Sequence, residues 1–148
     1  MVSNMGKTET ALNYFDEKFH CSQAVLAAYA SELGLTEEQA LKIASCFGSG
    51  FRKGGICGAC SGALMVLGLK YGQAKKEDLE SRIKTNEMSD AFLEKFAEEN
   101  GSYNCNDLLG CDIATQEGID YALEKKLFTE FCPKMVESAM KILEELEL

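Results

Sequence analysis

The sequence predicts an all-α protein, a single-domain helical bundle around a central helix rich in Gly and Ala. Only one proline interrupts the 148 residues, and apolar side chains recur at helical rather than strand spacing along nearly the whole chain. A chain of this length can bury a core without the help of disulfides. We therefore expect one all-α domain over residues 1–148.

The first half of the chain carries clear helix boundaries. Gly34 is a typical helix stop, and Thr36 with Gln39 matches a capping box at the start of the next helix. A glycine-rich loop over residues 48–56 then leads to Cys57. These signals predict three helices, at residues 7–19, 22–33 and 37–47.

The second half contains the predicted central helix, at residues 58–71, where Ala, Gly and Leu dominate and indicate burial with close neighbours. Residues 77–100 predict a long amphipathic helix capped by Gly101. The apolar residues change to another face of this helix between Ile83 and Met88, which leaves open a kink or two shorter helices. Pro133 suits the first turn of the last helix. Shorter helices are predicted at residues 105–110 and 115–128.

Charge and composition exclude several classes of function. The chain has 15 Lys and Arg against 24 Asp and Glu, and a net charge of −9 repels nucleic acid. Residues 1–13 lack the features of a leader, and the apolar run at 59–69 is too short to span a bilayer. We expect a cytoplasmic protein that is not embedded in a membrane. In a reducing compartment its seven cysteines indicate metal, cluster or thiol chemistry.

Four of the seven cysteines stand where a helix is predicted to begin. The unpaired N–H groups and partial positive charge of a first helical turn favour a thiolate over a thiol. A single cysteine more often packs as a small apolar residue, but a shared position at four helix starts indicates a functional set. Four such thiols brought together would bind a metal or cluster, or exchange electrons. They are Cys21, Cys57, Cys105 and Cys132, the last as the N-cap of the final helix.

Cys57 and Cys60 also form a C-x-x-C pair, which suggests a thiol–disulfide oxidoreductase as an alternative. In that interpretation Cys57 is the exposed, acidified thiol that attacks, and either Cys60 or Cys21 resolves the mixed disulfide. A glycine loop precedes the pair where a thioredoxin-type site has a strand, so the match to that class is weak.

Metal chemistry is the other interpretation. Zinc is less favoured than iron–sulfur because the chain has one C-x-x-C knuckle and a lone histidine, His20. An iron–sulfur cluster needs four thiolates with hydrogen-bond donors directed at sulfur, and four helix starts supply such donors. Gly55, Gly58 and Gly62 would let the backbone approach that cofactor closely.

The segments around the four cysteines resemble the C_GCAxxG_C_C family, whose members are described as redox-active. The likeness covers about residues 15–142. It rests on Cys-Ser-Gln-Ala-Val from residue 21, Gly-Gly-Ile-Cys-Gly-Ala-Cys-Ser-Gly-Ala-Leu from 54, Gly-Ser-Tyr-Asn-Cys-Asn-Asp-Leu-Leu-Gly from 101, and Cys-Pro-Lys-Met-Val from 132.

This resemblance implies a small protein of anaerobic prokaryotes, often encoded near transporter genes. It also implies a redox or cluster-binding set made of Cys21, Cys57, Cys105 and Cys132, whereas Cys46, Cys60 and Cys111 depart from the pattern and their roles stay open. The resulting prediction is electron transfer or redox sensing with a redox partner protein. A metal or sulfur carrier that serves a transporter is a further alternative. The sequence leaves open the type of cluster and whether the protein forms a homo-oligomer.

Overall fold

The structure, a computed structural model, describes the backbone of residues 4–146 and the side chains of residues 6–146. The predicted all-α class is confirmed, and the ends of the predicted domain, residues 1–3 and 147–148, lie outside the described residues. No helix in the described range combines the length and apolar character needed to cross a bilayer. The α-helices are α1 Asn4–Asp16, α2 Cys21–Tyr29, α3 Glu37–Ile43, α4 Gly58–Tyr71, α5 Leu79–Asn100, α6 Cys105–Leu109, α7 Gln116–Glu124 and α8 Cys132–Glu145.

The central helix is α4, which begins and ends where the sequence predicts. It packs against α2, α5 and α8, and most of its first ten residues are buried. The approach of α2 depends on Gly62, because a Cβ placed there would lie 2.7 Å from the Ser22 carbonyl oxygen and 3.1 Å from the Val25 Cβ. On the other side of the core, the rings of Phe92 and Phe96 in α5 stack at 6.0 Å and are fully buried.

Several helix ends differ from the prediction. Helix α2 stops at Tyr29, and a single 3₁₀ turn carries the chain to Gly34, which adopts a φ of 88°. Helix α5 is continuous across the residues where the apolar pattern changes face. Leu79 and Ile83 are 56% and 58% exposed, so burial in the core does not require them to share a face with the later apolar residues. Helix α7 is shorter than predicted and ends before Lys126, whose φ is 58°.

The capping box at the start of α3 is present as predicted. The Gln39 backbone N–H donates to Thr36 Oγ1 at 3.1 Å, and the Thr36 backbone N–H donates to Gln39 Oε1 at 3.0 Å. Thr36→Ala should therefore lower the free energy of unfolding by about 1 kcal/mol, as measured by urea denaturation. Thr36→Ser keeps the accepting hydroxyl and should stay within a few tenths of a kcal/mol. Equal losses in both variants would contradict the capping role.

Candidate functional site

The four cysteines that the sequence places at helix starts line the same cavity, whose volume is about 770 Å³. Cys57 is the N-cap of α4, and Cys21 and Cys105 are the first residues of α2 and α6. Cys132 is the first residue of α8 and not its N-cap, which is Phe131. The shift is one residue, because the turn before α8 already has helical geometry at Phe131. Four chain segments that are distant in sequence thus present their thiols to one space.

Cys21 is positioned by the docking of α2 on the segment around α3. The buried Ser22 hydroxyl donates to the Ala44 carbonyl at 2.8 Å. The Gln23 side chain accepts from the His20 N–H at 2.8 Å and donates to the Leu41 carbonyl at 2.9 Å. These three hydrogen bonds fix the first turn of α2, so the Cys21 sulfur has a defined place at the cavity wall.

Cys57 and Cys105 are held together by their backbones. Ile56 and Asn104 form an isolated antiparallel bridge. On either side of it the Cys57 N–H donates to the Tyr103 carbonyl at 2.7 Å, and the Cys105 N–H donates to the Gly55 carbonyl at 2.6 Å. Backbone hydrogen bonds therefore join the starts of α4 and α6 directly. No strand signal in the sequence indicates this bridge.

The glycine-rich loop is a left-handed turn, a geometry that the sequence analysis did not predict. Ser49, Gly50, Phe51 and Arg52 have φ values of 55°, 59°, 63° and 61°. Positive φ is uncommon for residues other than glycine and costs of order 1 kcal/mol or more for each. The turn brings the Ser49 N–H to the Cys21 sulfur, which also accepts from the Ser22 N–H. Two backbone donors thus face one of the four thiols.

The three predicted cofactor-binding glycines lie in different surroundings. A Cβ at Gly58 would collide with the Cys21 sulfur, so only glycine at the start of α4 permits that thiol its position beside the cavity. Gly62 lies in the contact of α2 with α4, away from the cavity lining. Gly55 is also outside the lining and acts through its carbonyl, which accepts from Cys105.

The remaining cysteines lie outside the cavity, and all seven are free thiols. Cys60 is fully buried and hydrogen-bonds to Cys57, which also bonds to Cys21. Cys46 is exposed. Cys111 is half-buried and packs against the small cluster that contains Cys105.

The expectation of an exposed and acidified Cys57 is wrong. Only 6% of Cys57 is exposed. Its hydrogen bond with the Cys21 thiol lowers the Cys57 pKa, but the hydrogen bond with Cys60 and burial together raise this pKa well above its usual range. Hydrogen bonding to Cys57, followed by burial, raises the pKa of Cys21 as well. The helix start is insufficient to stabilise a thiolate here, because burial disfavours the charged form.

The other two cavity thiols behave in the same way. Burial, followed by the neighbouring sulfurs of Cys132, Cys21 and Cys111, raises the pKa of Cys105 to about 12. Burial and the neighbouring Cys21 raise the pKa of Cys132 to about 12. Grouped and buried thiols remain protonated at neutral pH, whereas a bound cation would favour their thiolates.

A preformed metal site is not present in the described part of the chain. No group of three or more His, Cys, Asp or Glu side chains within it is arranged to hold a metal ion. His20 is exposed at the cavity, and its ring packs against Gly48, where a Cβ would overlap it. Ligation by the four cysteines therefore stays a prediction, supported by their shared cavity and by sulfur as a donor that suits iron–sulfur and zinc.

A family model described as "Putative redox-active protein (C_GCAxxG_C_C)" matches residues 19–146, a range that contains all seven cysteines. No curated protein and no solved structure matches the chain.

Proposed function

From the premise that this chain belongs to the C_GCAxxG_C_C family, we propose that its redox centre is built by Cys21, Cys57, Cys105 and Cys132. The observation that carries the proposal is the convergence of four helix starts on one cavity. The other three cysteines do not line the cavity; they are Cys46, Cys60 and Cys111. The spatial grouping therefore separates the same four residues that helix position selects in the sequence.

The cavity suits an iron–sulfur cluster or another metal centre, for electron transfer or redox sensing. Its donor set is four sulfurs, and the N–H groups of Ser49 and Ser22 already donate to Cys21. Such donors stabilise thiolate ligands and tune the potential of a centre. Gly58 allows the Cys21 sulfur its position at the cavity, because a side chain at residue 58 would collide with that sulfur. When bound, a cluster would supply reversible one-electron transfer, while the chain supplies the ligands and the apolar enclosure.

Anaerobic reconstitution of the wild-type protein with iron and sulfide tests this proposal. We expect a brown protein that retains iron and sulfide through gel filtration, bleaches reversibly on reduction, and melts at a higher temperature than the metal-free protein. Reconstitution with zinc alone is the parallel experiment. Retention of zinc but not of iron would assign a zinc site, and retention of neither would refute the metal centre.

A second candidate is thiol–disulfide exchange, favoured by the contacts of Cys57 with two other thiols. Cys57 and Cys21 both line the cavity, whereas the fully buried Cys60 does not. Cys57 would attack a disulfide substrate, one substrate thiol would leave, and Cys21 would displace the other and form a Cys21–Cys57 disulfide.

Trapping with glutathione disulfide tests the second candidate. With Cys21→Ser, a mixed disulfide on Cys57 should accumulate and be detected by mass spectrometry, because the cavity thiol that interacts with Cys57 is lost. Cys60→Ser should resolve the adduct like the wild-type protein. Accumulation in Cys60→Ser alone would make Cys60 the resolving thiol, and no adduct in any variant would remove this candidate.

A further inference from the structure

We propose that the cavity beside the four cysteines binds a small, uncharged aromatic oxidant of the quinone class. The inference rests on the dithiol function proposed above for Cys21 and Cys57, and it names the substrate class that the remaining space of the cavity accepts.

The cavity is larger than a metal centre requires. Four sulfurs at about 2.3 Å from one metal enclose on the order of 50 Å³. A four-iron cluster whose terminal sulfurs lie about 4 Å from its centre fills on the order of 270 Å³. The cavity measures about 770 Å³, which falls within the range of sites for small organic molecules. Space for a second molecule therefore remains beside the thiols.

One part of the wall formed by other residues is aromatic and apolar. Phe15 belongs to α1, Phe19 follows α1, and Phe128 lies in the turn before α8. All three are half-buried, so part of each ring is free to meet a ligand. Tyr14 holds the Phe19 ring edge-to-face at a centroid distance of 5.8 Å. Leu12 and Met135 complete the apolar surface. Such a wall favours a flat aromatic ligand.

The charges around the cavity favour a neutral ligand. Asp16 and Lys18 both line it and offset one another. The net charge of −9 of the chain also disfavours anions. Asn13 and Thr129 are exposed polar residues in the lining, and their side chains can donate hydrogen bonds to carbonyl oxygens. An uncharged ring with carbonyl groups matches this combination.

The chemistry uses two of the thiols that line the cavity, those of Cys21 and Cys57. In the reduced, metal-free protein the S–H bonds of Cys21 and Cys57 break, and an S–S bond forms between them. The quinone takes up the two electrons and two protons that are released, so that its two carbonyl oxygens become the hydroxyl groups of a hydroquinone. No other oxidant or reductant is needed, and both cysteines line the cavity that would hold the quinone.

Binding is tested first, with duroquinol as the probe, because this hydroquinone cannot oxidise thiols. Ligand-observed NMR titration of the reduced protein should show saturable binding. Phe128→Ala should weaken it about tenfold through lost ring contact. Phe15→Ala, on a different element, should weaken duroquinol binding to a similar extent. This second variant keeps the test valid if Phe128→Ala does not fold. The matched control is Phe47→Ala, which removes a half-buried phenylalanine outside the cavity and should leave binding unchanged.

Turnover is tested next with duroquinone, whose fully methylated ring leaves no position for thiol addition. The reduced protein should lose two thiols for each quinone reduced, and Cys21→Ser should reduce no quinone. Absence of duroquinol binding, or equal affinity in Phe128→Ala, Phe15→Ala and wild type, would overturn the quinone site while leaving reconstitution and thiol exchange unaffected. Binding without thiol oxidation would overturn the assignment of the ligand as an oxidant.

Discussion

Cys132→Ser should remove most of the colour of the reconstituted protein, whereas Cys60→Ser should leave it nearly unchanged. Cys132 lines the cavity with Cys21, Cys57 and Cys105, although it lies far from the C-x-x-C pair in sequence. Cys60 is fully buried, interacts with Cys57 and does not line the cavity. Iron and sulfide assays, together with the visible absorption of protein purified without oxygen, measure the difference.

Cys111→Ser is the matched control for this ranking. Cys111 packs near Cys105 but does not line the cavity, so its loss should leave the colour intact. If Cys60→Ser bleached the protein and Cys132→Ser did not, the four-cysteine assignment would be wrong even with a cluster present. Thiol–disulfide exchange predicts the reverse pattern, with no chromophore, loss of exchange at Cys57 or at its resolving partner, and little effect at Cys132.

Gly62→Ala and Gly68→Ala should change stability in opposite directions although both glycines belong to α4. The added methyl at Gly62 would meet the Ser22 carbonyl and Val25, so α2 must shift and the free energy of unfolding should fall by about 1–3 kcal/mol. Nothing lies within 4 Å of the corresponding position at Gly68. There alanine only improves helix propensity, and stability should rise by about 0.5–1 kcal/mol.

Urea denaturation of both variants beside wild type measures these changes. Because Ser22 follows Cys21 directly, the shift of α2 in Gly62→Ala should also reduce the iron retained after reconstitution, while Gly68→Ala should retain the wild-type amount. A stabilised Gly62→Ala protein would show that α2 and α4 do not need this close contact. A destabilised Gly68→Ala protein would show that its effect arises from something other than helix propensity.

Local sequence signals were sufficient wherever neighbours along the chain determine the conformation. The capping box of Thr36 and Gln39 and the composition of residues 58–71 each predicted a helix boundary that the structure contains, whereas α2 stops at Tyr29 and Gly34 ends only the 3₁₀ turn that follows. The same kind of signal placed all four cavity cysteines at helix starts. Caps and stops act within one turn of helix, so a single sequence contains what they require.

Tertiary contacts decided the surroundings of those cysteines. The bridge between Ile56 and Asn104 joins two segments that are distant in sequence. The left-handed turn through Phe51 strains the backbone. Local sequence patterns encode neither feature. The state of Cys57 shows the consequence most clearly. Its helix start alone predicts an acidic thiol, but packing buries it between Cys21 and Cys60 and raises its pKa. Local sequence signals determined that the four cysteines lie at helix starts. Only the packed fold determined their protonation and the cavity they share, because the desolvation of a thiol depends on every element that covers it.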